Sequence, residues 1–210
     1  MNGKKSLKKT NRFIYLISPN KVLPINFYKN LEKVFKTNKI FYFQLRLKKI
    51  NKRKIFEISK KIKKLTKKYK IKFIINDDPY LAIKVGADGC HIGQKDFSIK
   101  KARIILKNKI LGVTCHNSLK LVNKAVLNGA NYIALGSFFP TKTKKVKFRC
   151  NLNTLKKVKK FTTIPVIAIG GINNRNYKKV LLNKANFLAI SSYIWKNKLL
   201  SPEEALKKIK

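Results

Sequence analysis

Eight short apolar runs, with helical spacing in most of the gaps between them, constrain this chain more than any other feature. They are RFIYLIS (12–18), IFYFQLR (40–46), IKFIIN (71–76), DGCHIG (88–93), ILGVT (110–114), NYIALG (131–136), PVIAIGG (165–171) and NFLAISS (186–192). Several are continuous rather than alternating, the pattern of strands buried on both faces. Between the second and third, Ile55, Ile58, Ile62, Leu65 and Tyr69 recur every three or four residues, with lysines on the other face. An outer helix laying one stripe on a sheet explains this more cheaply than a helix lying on a membrane. Asp78-Pro79 reads as an N-cap followed by Pro at the first helical position, and Asn117-Ser118 and Asn173-Asn174 open further helical stretches. Eight alternations predict an α/β fold, a (β/α)8 TIM barrel, as a single domain over residues 1–210. A doubly wound six-stranded sheet competes, and the count of eight strands favours the barrel. Residues 1–11 read as a flexible basic N-terminus.

A chain of 210 residues can bury about 70% of its unfolded surface around one core. It carries 51 Lys and Arg against 8 Asp and Glu, a formal net charge of +43. Such charge points to nucleic acid, a membrane surface or phosphorylated ligands. Only six of the basic residues are Arg, the side chain whose fork matches phosphate and guanine edges. Lysine is spread along the whole chain, and there is neither zinc-finger spacing nor an aromatic-rich RNA motif. The reading is therefore a lysine-biased composition with small phosphorylated substrates as partners, and no specific nucleic acid. No apolar run approaches the roughly 20 residues that span a bilayer, and MNGKKSLKKTNR is not followed by a signal-peptide core. The expectation is a cytoplasmic protein without a membrane partner; homo-oligomerisation stays open. Cys90, Cys115 and Cys150 are odd in number and lack C-x-x-C spacing, so they read as plain core residues.

In a chain so poor in acid, all four aspartates fall within INDDPYLAIKVGADGCHIGQKD (75–96). The barrel sorts them, because function collects at the C-terminal ends of its strands. Asp78 is a helix cap. Asp88 opens its strand and lies at the opposite, structural end. Asp77 and Asp96 close two successive strands, about 4.8 Å apart if adjacent, and two carboxylates on one rim suit Mg²⁺. Gly170-Gly171 and Ser191-Ser192 close the last two strands, where barrels of this type hold phosphate. Polar residues end the other strands too: Gln44 to Arg46, Asn76, Thr114 to His116, and Gly136-Ser137.

QLRLK (44–48), IINDDP (74–79), GADGCHIGQKD (86–96), GVTCHNS (112–118), ALGSFFPTKTK (134–144) and VIAIGGI (166–172) occur in one order over residues 12 to 195. This series resembles the thiamine phosphate synthase (thiamine-phosphate pyrophosphorylase) family. The resemblance implies a transferase of thiamine biosynthesis that joins hydroxymethylpyrimidine diphosphate to hydroxyethylthiazole phosphate. It implies that Gln44, Arg46, Lys48, Asn76, Thr114 and Lys144 hold the pyrimidine diphosphate, with Arg46, Thr114 and Lys144 the catalytic set. It also implies Mg²⁺ on Asp77 and Asp96, and the thiazole phosphate on Thr141, Lys142, Thr143, Gly171, Ser191 and Ser192. Leu47 stands where many members have Glu, and Thr114 where many have Ser, which keeps the hydroxyl. Lys184 and Asn186 replace the Gly and Asp of a common G-A-D turn. Two alternatives stay open: a thiazole tautomerase-like paralogue, which uses a histidine near the position of His116, and a basic RNA-binding protein. The complete Asp77/Asp96 pair with QLRLK and TKTK favours the synthase, since isomerisation needs no diphosphate site. His91 reads as structural and His116 as rim lining.

Overall fold

All eight strand–helix units are present in the computed structural model, which describes residues 12–20, 24–141 and 148–210. The parallel strands close in sequence order into a barrel. They are β1 (Ile14–Ile17), β2 (Ile40–Leu45), β3 (Lys72–Asn76), β4 (Gly89–Ile92), β5 (Ile110–His116), β6 (Tyr132–Gly136), β7 (Val166–Ile169) and β8 (Phe187–Ile190). The helices are α1 (Pro24–Lys36), α2 (Lys52–Lys68), α3 (Pro79–Lys84), α4 (Ile99–Leu106), α5 (Leu119–Leu127), α6 (Leu152–Phe161), α7 (Tyr177–Leu182), α8 (Ser192–Trp195) and α9 (Pro202–Lys207). The seventh strand stops two residues before the sequence suggests, because Gly170 and Gly171 turn at positive φ. The fifth runs two residues further, to His116.

Each strand buries both faces, for different reasons. Outward residues such as Leu16, Phe43, Phe73, Ile92, Val113 and Leu188 pack under the helices in the main core. Inward residues, led by Tyr15, Tyr42, Ile74, Tyr132 and Ile167, fill the barrel itself. The rings of Tyr15, Tyr42 and Tyr132 meet with centroids 5.3 to 5.7 Å apart. Alternation is thus present in direction but hidden in hydropathy, since both directions lead to apolar surroundings. The stripe of α2 behaves as its spacing requires: Ile62 is fully buried, and Ile55, Ile58 and Leu65 pack against the core. Asp78 caps α3, its Oδ1 accepting the Leu81 N–H at 2.9 Å, with Pro79 in the first turn. Ser118 caps α5. Asn173 instead shapes a turn, and α7 begins at Tyr177. All three cysteines are free and buried, and burial pushes their thiols up, Cys115 to about 12 and Cys150 to about 11. No helix among the described residues is long and apolar enough to cross a membrane.

The N-terminal end of the barrel uses one device three times. Gly86, Gly129 and Lys184 take φ of 64°, 76° and 71°, reversing the chain after α3, α5 and α7. An alanine follows each, and then Asp88, Asn131 or Asn186. Those side chains accept the N–H groups of Phe73, Leu111 and Val166 at 2.9, 2.8 and 2.9 Å, tying each new strand to the one before. Asp88 therefore serves structure, and its ion pair with Lys63 at 3.0 Å neutralises it.

Candidate active site

The opposite end gathers the polar strand ends. On β2, Gln44 is 3% exposed and donates from Nε2 to Asn76 Oδ1, 2.6 Å away on β3. A buried amide fixed in this way has a defined orientation, so its remaining polar atoms are presented in one arrangement. Just beyond β3, Asp77 sits at φ 64°, and its N–H donates to the carbonyl of His91 on β4 at 2.8 Å. That contact places Asp77 over the β3–β4 junction, where Asn76 and His91 pair in register. Its Oδ2 meets Lys48 Nζ at 2.9 Å. Asp96 Oδ2 accepts the Gly93 N–H at 3.1 Å, which folds the segment after β4 back onto the rim. Beside Asp96 lies an open cleft of about 460 Å³, also bordered by Lys95, Lys100 and Lys124.

Two carboxylates from neighbouring strand ends are hard oxygen donors, which fits Mg²⁺ held by one or two carboxylates, water and substrate phosphates. The described residues contain no cluster of three or more metal-ligating side chains, so substrate oxygens and water would have to complete the coordination. Lys48 is placed to neutralise Asp77 or an incoming phosphate. Arg46 donates to Asn20 Oδ1 at 2.9 Å, while its backbone N–H donates to Ser18 Oγ at the same distance.

On β5, Thr114 Oγ1 lies 2.8 Å from His91 Nε2. His91 Nδ1 lies 3.0 Å from the Tyr132 hydroxyl, which lies 2.7 Å from that of Tyr15. Burial depresses the imidazole to a pKa of about 4, with Asp96 partly opposing the effect. It also lifts both phenols well above 10. His91 is therefore neutral near neutral pH. The Gln94 side-chain amide donates to the Thr114 carbonyl, binding the loop after β4 to the end of β5.

At the last two strands the glycines are required. Gly170 and Gly171 have φ of 109° and 62°, and a Cβ on either would run into the Ser137–Pro140 segment after β6. The Ser191 hydroxyl donates to the Ser18 carbonyl at 3.3 Å instead of capping α8, whose first residue is Ser192. The structure thus brings Gln44, Arg46, Lys48, Asn76, Asp77, Asp96, Thr114, Gly171, Ser191 and Ser192 to one rim, with Thr141 on the loop after β6. Lys142, Thr143 and Lys144 lie outside the described residues. Sequence reasoning passed over Ser18, buried at 1% exposure, which links the rims of β8, β1 and β2. The polar end of IYLIS was the signal for it.

With this geometry in view, the comparisons decide the family. The model of the thiamine monophosphate synthase family matches residues 14–194. The chain belongs to that family. It is 59% identical to the thiamine-phosphate synthase of Pelagibacter ubique over 98% of its own length and 100% of the relative's. It is 38% identical to the thiamine-phosphate synthase of Clostridium acetobutylicum, covering 90% of this chain and 89% of that one. Among solved structures, thiamine phosphate pyrophosphorylase from Pyrococcus furiosus superposes with a TM-score of 0.84 at 28% identity, covering 95% and 94% of the two chains. Membership of the family thus agrees with the barrel, and the matched span contains every rim residue named above.

Proposed function

We infer that the chain is a thiamine-phosphate synthase, a transferase that condenses hydroxymethylpyrimidine diphosphate with hydroxyethylthiazole phosphate to give thiamine phosphate and diphosphate. The observation that carries this reading is 59% identity to a thiamine-phosphate synthase across 98% of the chain. The Asp77/Asp96 rim and the β7–β8 glycine–serine ends give it a chemical basis.

In the proposed mechanism the bond between the pyrimidine methylene and the diphosphate oxygen breaks first, the electron pair leaving with diphosphate. Lys48, Arg46, Thr114 and Lys144 receive the charge that develops on those oxygens. Gln44 and Asn76, already joined at 2.6 Å, orient the substrate. The electron-rich aminopyrimidine spreads the positive charge of the carbocation. The thiazole nitrogen then supplies its lone pair to form the new C–N bond, so no protein base is needed. This suits a chain with two histidines, one of them buried and neutral. Gly171, Ser191 and Ser192, with Thr141 to Thr143, hold the thiazole phosphate. Mg²⁺ held by Asp77 and Asp96 would supply Lewis-acid stabilisation of the leaving diphosphate. A cytoplasmic location is part of the proposal.

The test is formation of thiamine phosphate from both substrates with Mg²⁺, beside folded Asp77→Ala and Asp96→Ala variants. Product from the wild type and losses of at least about a hundredfold in both variants are expected. Unchanged rates in the variants would remove the metal assignment.

A further inference from the structure

We infer that the buried chain Tyr15–Tyr132–His91–Thr114 holds the Thr114 hydroxyl as a hydrogen-bond donor toward the ligand, with His91 as a positioning residue. The three links measure 2.7, 3.0 and 2.8 Å. Tyr15, Tyr132 and His91 are 2%, 0% and 8% exposed, whereas Thr114 is half-buried at the rim. A neutral imidazole donates from one nitrogen and accepts at the other. The proton positions along the chain are therefore coupled through two head-to-tail arrangements, since a Tyr132 oxygen accepting from both neighbours would leave the Tyr132 proton without an acceptor among the described residues.

In one, Tyr15 donates to Tyr132, Tyr132 donates to His91 Nδ1, and His91 Nε2–H donates to Thr114 Oγ1. In the other every link is reversed, and the Tyr15 proton must point away from Tyr132. Among the described residues Tyr132 is the one hydrogen-bond partner of the Tyr15 hydroxyl. The reversed arrangement thus strands a donor at the bottom of the chain, deep in the barrel. A buried donor without an acceptor costs more than an unused lone pair on a satisfied hydroxyl. The outward arrangement wins, and it leaves the Thr114 proton directed away from His91.

The consequence concerns ligand chemistry. Thr114 Oγ1 already accepts from His91, so it offers a donor and suits an anionic oxygen. On the reading of the site as a synthase, that oxygen belongs to the departing diphosphate. Thr114 cannot pass its proton to His91, whose Nε2 lone pair is occupied, so the pair does not act as a base. This polarity separates charge stabilisation from proton-transfer chemistry at the same rim position.

Nitrogen-15 NMR of the histidine rings at neutral pH reads the polarity in the free protein. The chain has two histidines, and the His116 signals are identified by their disappearance in His116→Gln. The expected spectrum shows His91 with a proton on Nε2 and a bare Nδ1. A proton on Nδ1, alone or together with one on Nε2, would overturn the inference. Tyr132→Phe, which keeps the ring and removes the donor to Nδ1, is expected to give a mixture of tautomers. An unchanged tautomer in that variant would show that the chain does not set it. In the synthase assay, Thr114→Val is expected to lower kcat at least about tenfold, one good hydrogen bond's worth, while Thr114→Ser restores it. Loss of all synthase turnover in the wild type would sink the functional reading, and the NMR result would still judge the chain's polarity.

Discussion

Gly112→Ala tests how the barrel interior supports the site. Gly112 lies on β5 directly across from Tyr132 on β6, and a Cβ there would overlap the Cζ, Cε2 and hydroxyl oxygen of that ring. The ring must retreat by roughly 1.5 Å to regain ordinary carbon–carbon contact. Its hydroxyl is held at 2.7 Å by Tyr15 and at 3.0 Å by His91, so that retreat breaks both bonds. Two buried hydrogen bonds broken at about 1–2 kcal/mol each, with overpacking of about 1–3 kcal/mol, give an expected loss of about 3–7 kcal/mol. That is a large share of the roughly 5–15 kcal/mol that keeps a domain folded. Urea unfolding followed by far-ultraviolet circular dichroism measures it. The informative comparison is a double-mutant cycle with Tyr132→Leu, which removes every atom the new methyl would strike. In that background Gly112→Ala should cost less than about 1 kcal/mol. The backbone of Gly112 is in a region open to any residue, so an equal penalty in both backgrounds would refute the steric argument.

Two other outcomes follow from single residues. Lys184→Gly relieves a side chain at φ 71° in the turn where Gly86 and Gly129 occupy the equivalent places, and should stabilise the fold by about 0.5–1 kcal/mol in urea unfolding; a loss of stability would mean that the lysine contributes more than its strain costs. The acid response should begin with His91, whose folded pKa of about 4 lies below its ordinary value near 6.5. The unfolded chain then binds a proton that the folded chain refuses, so stability falls as pH drops through that window and is unaffected by this group above it. From about pH 7 to pH 5 the loss should be about 2 kcal/mol. Glu32, Glu203 and Glu204 are held below the usual carboxylate value by hydrogen bonds, so their contribution is lost only at lower pH. A flat urea midpoint between pH 7 and pH 5 would contradict the account.

The barrel was legible because each strand is a local apolar run and each helix repeats at its own period. The rim was legible because polar and glycine residues recur where those runs stop, as Asn76-Asp77 and Gly170-Gly171 do. The Tyr15–Tyr132–His91–Thr114 chain was not legible. It joins four strands, and its first link spans 117 positions, so nothing near Tyr15 or His91 in sequence announces a partner. Both faces of β1 and β6 are apolar, which hid that Tyr15 and Tyr132 point inward. Lys184 shows the converse: its departure from a glycine turn was visible in K-A-N, and only the backbone revealed that the lysine keeps the glycine's conformation.

The central claim is a condensation in which diphosphate departs and the thiazole nitrogen takes its place. The most direct measurement mixes the purified wild-type chain with both substrates and Mg²⁺ and follows diphosphate and thiamine phosphate together. Equal amounts of the two products are predicted, with turnover dependent on both substrates. Folded protein that forms no thiamine phosphate would contradict the account.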